Sequence, residues 1–331
     1  MNHQNLFDGA PRWLAATALL TAAATGFAAK PVPPPSQQLL TDENIVAVVT
    51  VAEKSAANQV RVTAEQMLHG ERFAEQTVKL DDATFAEAVP GSRYLLAFSW
   101  FTKDPLTRGK GWVKNTAGPE AVGFTEVGNA LLPPEPALLA LLALSSEPGA
   151  DAERIDHSLQ LLAHSHYKLR YFAALELLLN PRLPAAFSAA QRDQLQQRFA
   201  VTDYAPEHRD LMYRIALSLP AQLKGAWLAA PARQDLQGLG NQYDLASRVP
   251  GLAKSAAQAL RDHGSVSDAP LLTELLRSNA PGVAKVALQA LAQHARSAAD
   301  QAVTAALTDP QLPADSRRLF ELFRKQGKVP G

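Results

Sequence analysis

The 331-residue chain has no cysteine, and that absence removes several kinds of chemistry at once. Disulfides, thiol nucleophiles and thiolate metal sites are excluded, as is a lipidated cysteine of the bacterial lipoprotein type. Stability must therefore come from packing. Net charge is missing too. Lys+Arg and Asp+Glu are both 32, and the mature segment before Pro133 balances ten basic against twelve acidic residues. No excess charge draws this protein toward nucleic acid or an anionic membrane. Enzyme signatures are lacking as well. No GxSxG, HExxH or GxGxxG occurs, Gly109-Lys110-Gly111 lacks phosphate-loop spacing, and Ser165-His166-Tyr167-Lys168 has none of the companion motifs of an SxxK enzyme. The expectation is a non-enzymatic protein without a cofactor.

What the chain does contain is a repeat. Pro250-Gly251-Leu252-Ala253-Lys254-Ser255-Ala256-Ala257-Gln258-Ala259-Leu260 returns 31 residues later as Pro281-Gly282-Val283-Ala284-Lys285-Val286-Ala287-Leu288-Gln289-Ala290-Leu291, and His263 and His294 keep the spacing. Val283, Val286, Ala287, Ala290 and Leu291 fall on one helical face, and Pro281 suits a first turn. A partner helix is expected after each copy, from Leu271 to Leu276 behind an Asp268 N-cap and again from Ala302 to Leu307. A further relative spans Pro313 to Phe323. Looser copies lie at Leu169–Leu177 and Asp210–Leu217. His263 and His294 are expected at helix C-termini.

On these residues the chain resembles the HEAT-like repeats, in the short-period form also found in phycobilisome lyases. The resemblance covers 249–326 most closely and extends over 150–220. It is interrupted at 221–248 by Pro231, Gly238 and Gly240, and the chain lacks the Asp-Pro pair of most such helix starts. It implies a HEAT-like α-solenoid over 135–331 and a protein or peptide partner, without any lyase activity. Lys254, Gln258, Lys285, Gln289 and Arg317 occupy equivalent positions and form a polar stripe, the candidate partner-binding surface; the alternative is an outward face that is merely solvated.

The N-terminus reads differently. Arg12 precedes the apolar run Trp13–Ala24, and Gly26-Phe27-Ala28 offers a cleavage site, so residues 1–29 are expected to be a signal peptide. The run is short and alanine-rich for a membrane span, although an uncleaved anchor stays open. A periplasmic or secreted location follows. Residues 30–39, Pro-rich, read as an extended spacer.

Between 40 and 132 the pattern turns to strands: Ile45–Val51, alternation around Val60–Ala64 and Val78–Leu80, a Pro90-Gly91 turn into Arg93–Phe101, and Ala121–Phe124. The order of these strands is similar to an OB-type β-barrel, and such a likeness implies a ligand-binding strand face. The fold expected is thus a small N-terminal β-barrel followed by an all-α unit, joined at Pro133–Pro136. A basic loop carrying Arg108, Lys110, Trp112 and Lys114 is a candidate ligand site, against a hairpin whose tryptophan folds back onto the barrel. His157, His164 and His166 form the one histidine cluster and are candidate metal ligands. These two features support the alternative function, a periplasmic ligand or metal sensor.

Overall fold

A computed structural model of the chain describes residues 32–103, 112–124, 128–201, 204–239 and 249–329. The chain divides into two compact units, Met1–Glu147 and Pro148–Gly331. The expected signal segment and most of the basic loop lie outside the described residues. No helix among them is long and apolar enough to cross a membrane.

The first unit begins with a departure from expectation. Instead of an extended spacer, Pro35–Leu39 forms a short helix, α1, that buries Pro35, Ser36 and Leu39. Asn44 ties it down by donating to the carbonyls of Gln38 and Leu39, each at 3.0 Å. Strand β1 (Asn44–Ser55) then pairs antiparallel with β2 (Gln59–His69), and β2 with β3 (Glu75–Lys79). After α2 (Asp82–Glu87) come β4 (Arg93–Ser99), the small hairpin β5 (Phe101–Lys103) and β6 (Trp112–Lys114), and β7 (Glu120–Ala121). The hairpin β8 (Gly123–Phe124) and β9 (Gly128–Asn129) leads to β10 (Leu131–Leu132), which pairs with β4.

Five strands close a barrel in the order β1-β2-β3-β7-β4 and back to β1, with the β3–β7 pairing parallel. Closure removes the exposed edges that an open sheet would leave. Ala47, Val49, Val51, Val60, Val62, Val78, Leu96 and Phe98 fill the interior. The α2 helix is capped by Asp81, which accepts from the Thr84 amide at 2.8 Å and from the Asn129 amide at 2.8 Å. That carboxylate thus joins the β3–β4 crossover to the β8–β9 hairpin. Helix α3 (Pro136–Ala143) falls within this unit.

The second unit is helical. Its elements are α4 (Asp151–Leu162), α5 (Tyr167–Leu179), α6 (Leu183–Ala186), α7 (Ala189–Arg198), α8 (Pro206–Ser218), α9 (Ala229–Leu239), α10 (Pro250–His263), α11 (Ala269–Leu275), α12 (Pro281–His294), α13 (Arg296–Leu307) and α14 (Ala314–Gln326). Helix α5 packs on α8, α8 on α10, α10 on α12, and α12 on α14. In the other layer α4 touches α7, α9 touches α11, and α11 touches α13. The 221–248 interruption holds helix α9 even so, because Pro231 falls in the first turn, where its missing N–H breaks no helical bond. The last helix, α14, buries Phe320 and Phe323 and leaves Arg318, Glu321, Arg324 and Lys325 exposed.

Candidate functional site

The two copies of the repeat fold alike. α10 and α12 are both 14-residue helices that begin at a proline and end at a histidine. Proline presets the first turn, and the glycine behind it admits a neighbour. A Cβ on Gly251 would sit 2.9 Å from Asp210 Oδ2, and one on Gly282 3.9 Å from Lys254 Cδ. The fifth residue of one helix therefore lies against the second residue of the next. At the far end, His294 Nε2 lies 2.7 Å from the Arg261 carbonyl and 3.1 Å from that of Leu260, meeting the C-terminus of α10. With both ends matched, α10 and α12 run parallel. His294 thus serves its neighbour's C-terminus.

The same geometry separates two substitutions. Gly282→Ala meets only ordinary contact and removes a flexible residue from a helix, so it is expected to raise stability by up to about 1 kcal/mol. Gly251→Ala presses on a carboxylate already bonded to Ser255 at 2.6 Å and is expected to gain nothing or to lose stability. Urea titration of the two variants checks the difference.

Counting from each first helical residue, the fifth, ninth and twelfth positions of α8, α10 and α12 make a regular grid. The fifth positions are Asp210, Lys254 and Lys285; the ninth are Arg214, Gln258 and Gln289; the twelfth are Leu217, Arg261 and Ala292. All nine are half-buried. Asp210 is held by Ser255 and by Arg214 at 4.0 Å. Burial lifts its carboxyl above the usual range, although the Ser255 bond and the positive charges of Arg214 and Lys254 oppose the rise. Arg261 bonds to Asp262 at 2.7 Å and reaches Gln289 at 3.5 Å. Among the described residues, Lys254, Gln258 and Lys285 make no hydrogen bond or ion pair. Arg317 does not belong with them. It donates to the carbonyls of Leu307 at 2.9 Å and Asp309 at 2.7 Å, closing the end of α13. The stripe expected from sequence is thus brought together at four of its five residues, while the fifth is a helix cap.

The histidine cluster has a different use. No group of three or more His, Asp or Glu among the described residues is arranged to hold a metal, and His157, His164 and His166 form none. His164 Nδ1 accepts from the His166 amide at 3.0 Å, and the His166 ring stacks on Tyr167 at 5.6 Å. A fourth histidine, His208, went unremarked in the sequence. It is 4 % exposed, lies 4.0 Å from the Tyr171 ring, and its Nε2 is 3.4 Å from the Tyr167 carbonyl. Burial, with the nearby Arg170 charge, holds its pKa down to about 4.

In the barrel unit, Lys114 is exposed, with its ammonium 5.8 Å from the centre of the Trp100 ring. Trp112 pairs through its backbone with Lys103, while Arg108 and Lys110 lie outside the described residues. The outer charges of the barrel are largely matched to each other. Arg61 meets Glu53 at 2.9 Å and Glu75 at 3.6 Å, Arg93 meets Glu65 at 2.7 Å, and Lys79 meets Glu120 at 3.2 Å. Hydrogen bonds from Thr50 and Arg93 hold the Glu65 carboxyl below its ordinary range.

Polar links also join the helices of this unit to one another. Arg154 of α4 and Glu176 of α5 pair at 2.6 Å with neither side chain exposed. Arg209 of α8 meets Asp235 of α9 at 2.7 Å, and the Tyr213 hydroxyl donates to the same carboxylate at 2.6 Å. Arg233 bonds to Asp268, whose carboxylate also takes the Ser265 amide at 2.8 Å. Burial pushes that carboxyl up, but those bonds outweigh it and the net shift is downward. No family model, no curated protein and no solved structure matches this chain.

Proposed function

We propose that this protein is an exported, non-enzymatic scaffold that holds a protein partner on the outer face of its helical unit. In this reading the helical layers are a short HEAT-like solenoid, and the N-terminal unit is an OB-type barrel placed beside it in the chain. Export rests on the leader pattern of the first 29 residues. One observation carries the binding role: Lys254 and Lys285, at equivalent places on adjacent parallel helices, are half-buried with no hydrogen bond or ion pair among the described residues. The carboxylate near Lys254 is that of Asp210, already engaged by Ser255 and Arg214, so a partner's carboxylates would add favourable contacts to both lysines.

A photo-crosslinking side chain at Gln258, introduced in the native host, tests the role. A discrete protein adduct is expected from the envelope fraction. It should be absent when the probe sits at exposed Gln301 on α13, and absent again in a Lys254→Glu/Lys285→Glu background that keeps its circular-dichroism spectrum. Equal labelling at both positions would remove the proposal.

A further inference from the structure

The chemistry of the grid narrows the partner further, given the scaffold reading above. We infer that the grid takes an acidic peptide segment in extended conformation, laid across α10 and α12 with carboxylates on Lys254 and Lys285.

The spacing sets the ligand's pattern. Packed helices lie about 8–10 Å apart, and a chain in the extended polyproline-II conformation advances about 3.1 Å per residue and returns a side chain to the same face every third residue. A chain crossing the row of fifth positions therefore meets Lys254 and Lys285 about three residues apart, so the segment carries Asp or Glu at every third position. The ninth positions lie about 6 Å further along each helix axis. There Gln258 and Gln289 present amides that both donate and accept, the equipment needed to bond a peptide backbone. Arg214 stands on the neighbouring helix and Arg261 one turn beyond Gln258, so four of the nine grid residues are cationic and one, Asp210, is acidic. Asp210 is engaged by Ser255 and by Arg214.

Other anions fit less well. The nine positions include no aromatic side chain on which a base would stack. Leu217, half-buried at the α8 end of the grid, is their one apolar side chain larger than alanine, too little to enter a lipid surface. The chain as a whole is electrically balanced, which deprives it of the long-range attraction that nucleic-acid binders use.

Fluorescence anisotropy with the purified full-length chain tests the inference. The probes are a labelled peptide with Glu at every third position among Gly, Ser and Ala, the same peptide with Gln for Glu, and a single-stranded oligothymidylate of similar length. The Glu peptide is expected to bind at least about tenfold more tightly than the Gln peptide, and more weakly as salt rises. Lys254→Gln/Lys285→Gln should weaken it by about tenfold or more, while Lys325→Gln on α14 leaves it unchanged, all with unaltered circular dichroism. Equal binding of the Glu and Gln peptides overturns the inference, as does retention of binding in the double variant. Preference for the oligothymidylate overturns it in favour of nucleic acid. An adduct at Gln258 without Glu-peptide binding discards the acidic ligand and keeps the scaffold. Glu-peptide binding with no adduct does the reverse.

Discussion

Glu176→Leu is expected to destabilise the helical unit by about 3–5 kcal/mol, the largest effect of any single change considered. The Glu176 carboxylate lies 2.6 Å from the Arg154 guanidinium, and neither side chain touches solvent. A charge at such a depth depends on its counter-ion, because water cannot replace it. Removing the carboxylate leaves a buried guanidinium without the group it pairs with at 2.6 Å. Removing both charges is different. Arg154→Met/Glu176→Leu leaves an apolar contact of similar volume, and most of the lost stability should return, since buried pairs often add little over a well-packed apolar replacement. Urea unfolding followed at 222 nm reports mainly on the helices and compares the three proteins directly. A single variant within about 1 kcal/mol of the parent would mean that the pair is not buried as described.

The second large effect depends on pH. His208 is neutral in the folded chain because burial, helped by the positive Arg170, lowers its pKa to about 4. The unfolded chain takes up the same proton near pH 6.5, the ordinary imidazole value. As pH falls from about 6.5 toward 4, the unfolded state binds more protons than the folded one, and stability drops by about 3 kcal/mol. The contribution is fully present above pH 6.5 and gone below 4. His208→Gln, whose amide can still donate toward the Tyr167 carbonyl, should flatten this part of the profile. Urea midpoints measured at pH 7, 5.5 and 4 give the slope for both proteins. Parallel slopes would exclude a neutral buried imidazole.

Several of these features are legible in the sequence, and the reason is local. The β-branched run Ile45–Val51 reads as a strand and lies within β1, where Val46, Ala47, Val48, Val49 and Val51 are all buried. The Pro-Gly starts and the apolar spacing mark α10 and α12 to their first residue. Where a side chain from far along the chain decides, the pattern misleads. The expected strand Arg93–Phe101 divides after Ser99, whose hydroxyl donates to the Glu43 carbonyl at 2.8 Å and accepts from the Phe101 amide at 3.0 Å. Asp268, expected to cap α11, makes no such bond there and serves Ser265 and Arg233 instead. Barrel closure through the single parallel pair Lys79 and Glu120 leaves no periodic trace. At the candidate site, spacing alone placed Lys254, Gln258, Lys285 and Gln289 in rows. It offered no means of knowing that Arg317 is consumed by the carbonyls of Leu307 and Asp309.

The parallel course of α10 and α12 has an electrostatic consequence. Each helix carries a macrodipole whose positive pole lies at its proline end, and side-by-side parallel helices bring those poles to one edge, where they repel instead of cancelling. Lys254 and Lys285 stand one turn in from that edge, with their own charge added to it. Asp210, set against the second residue of α10, meets part of that positive edge, and a carboxylate arriving beside Lys285 would relieve what remains at α12.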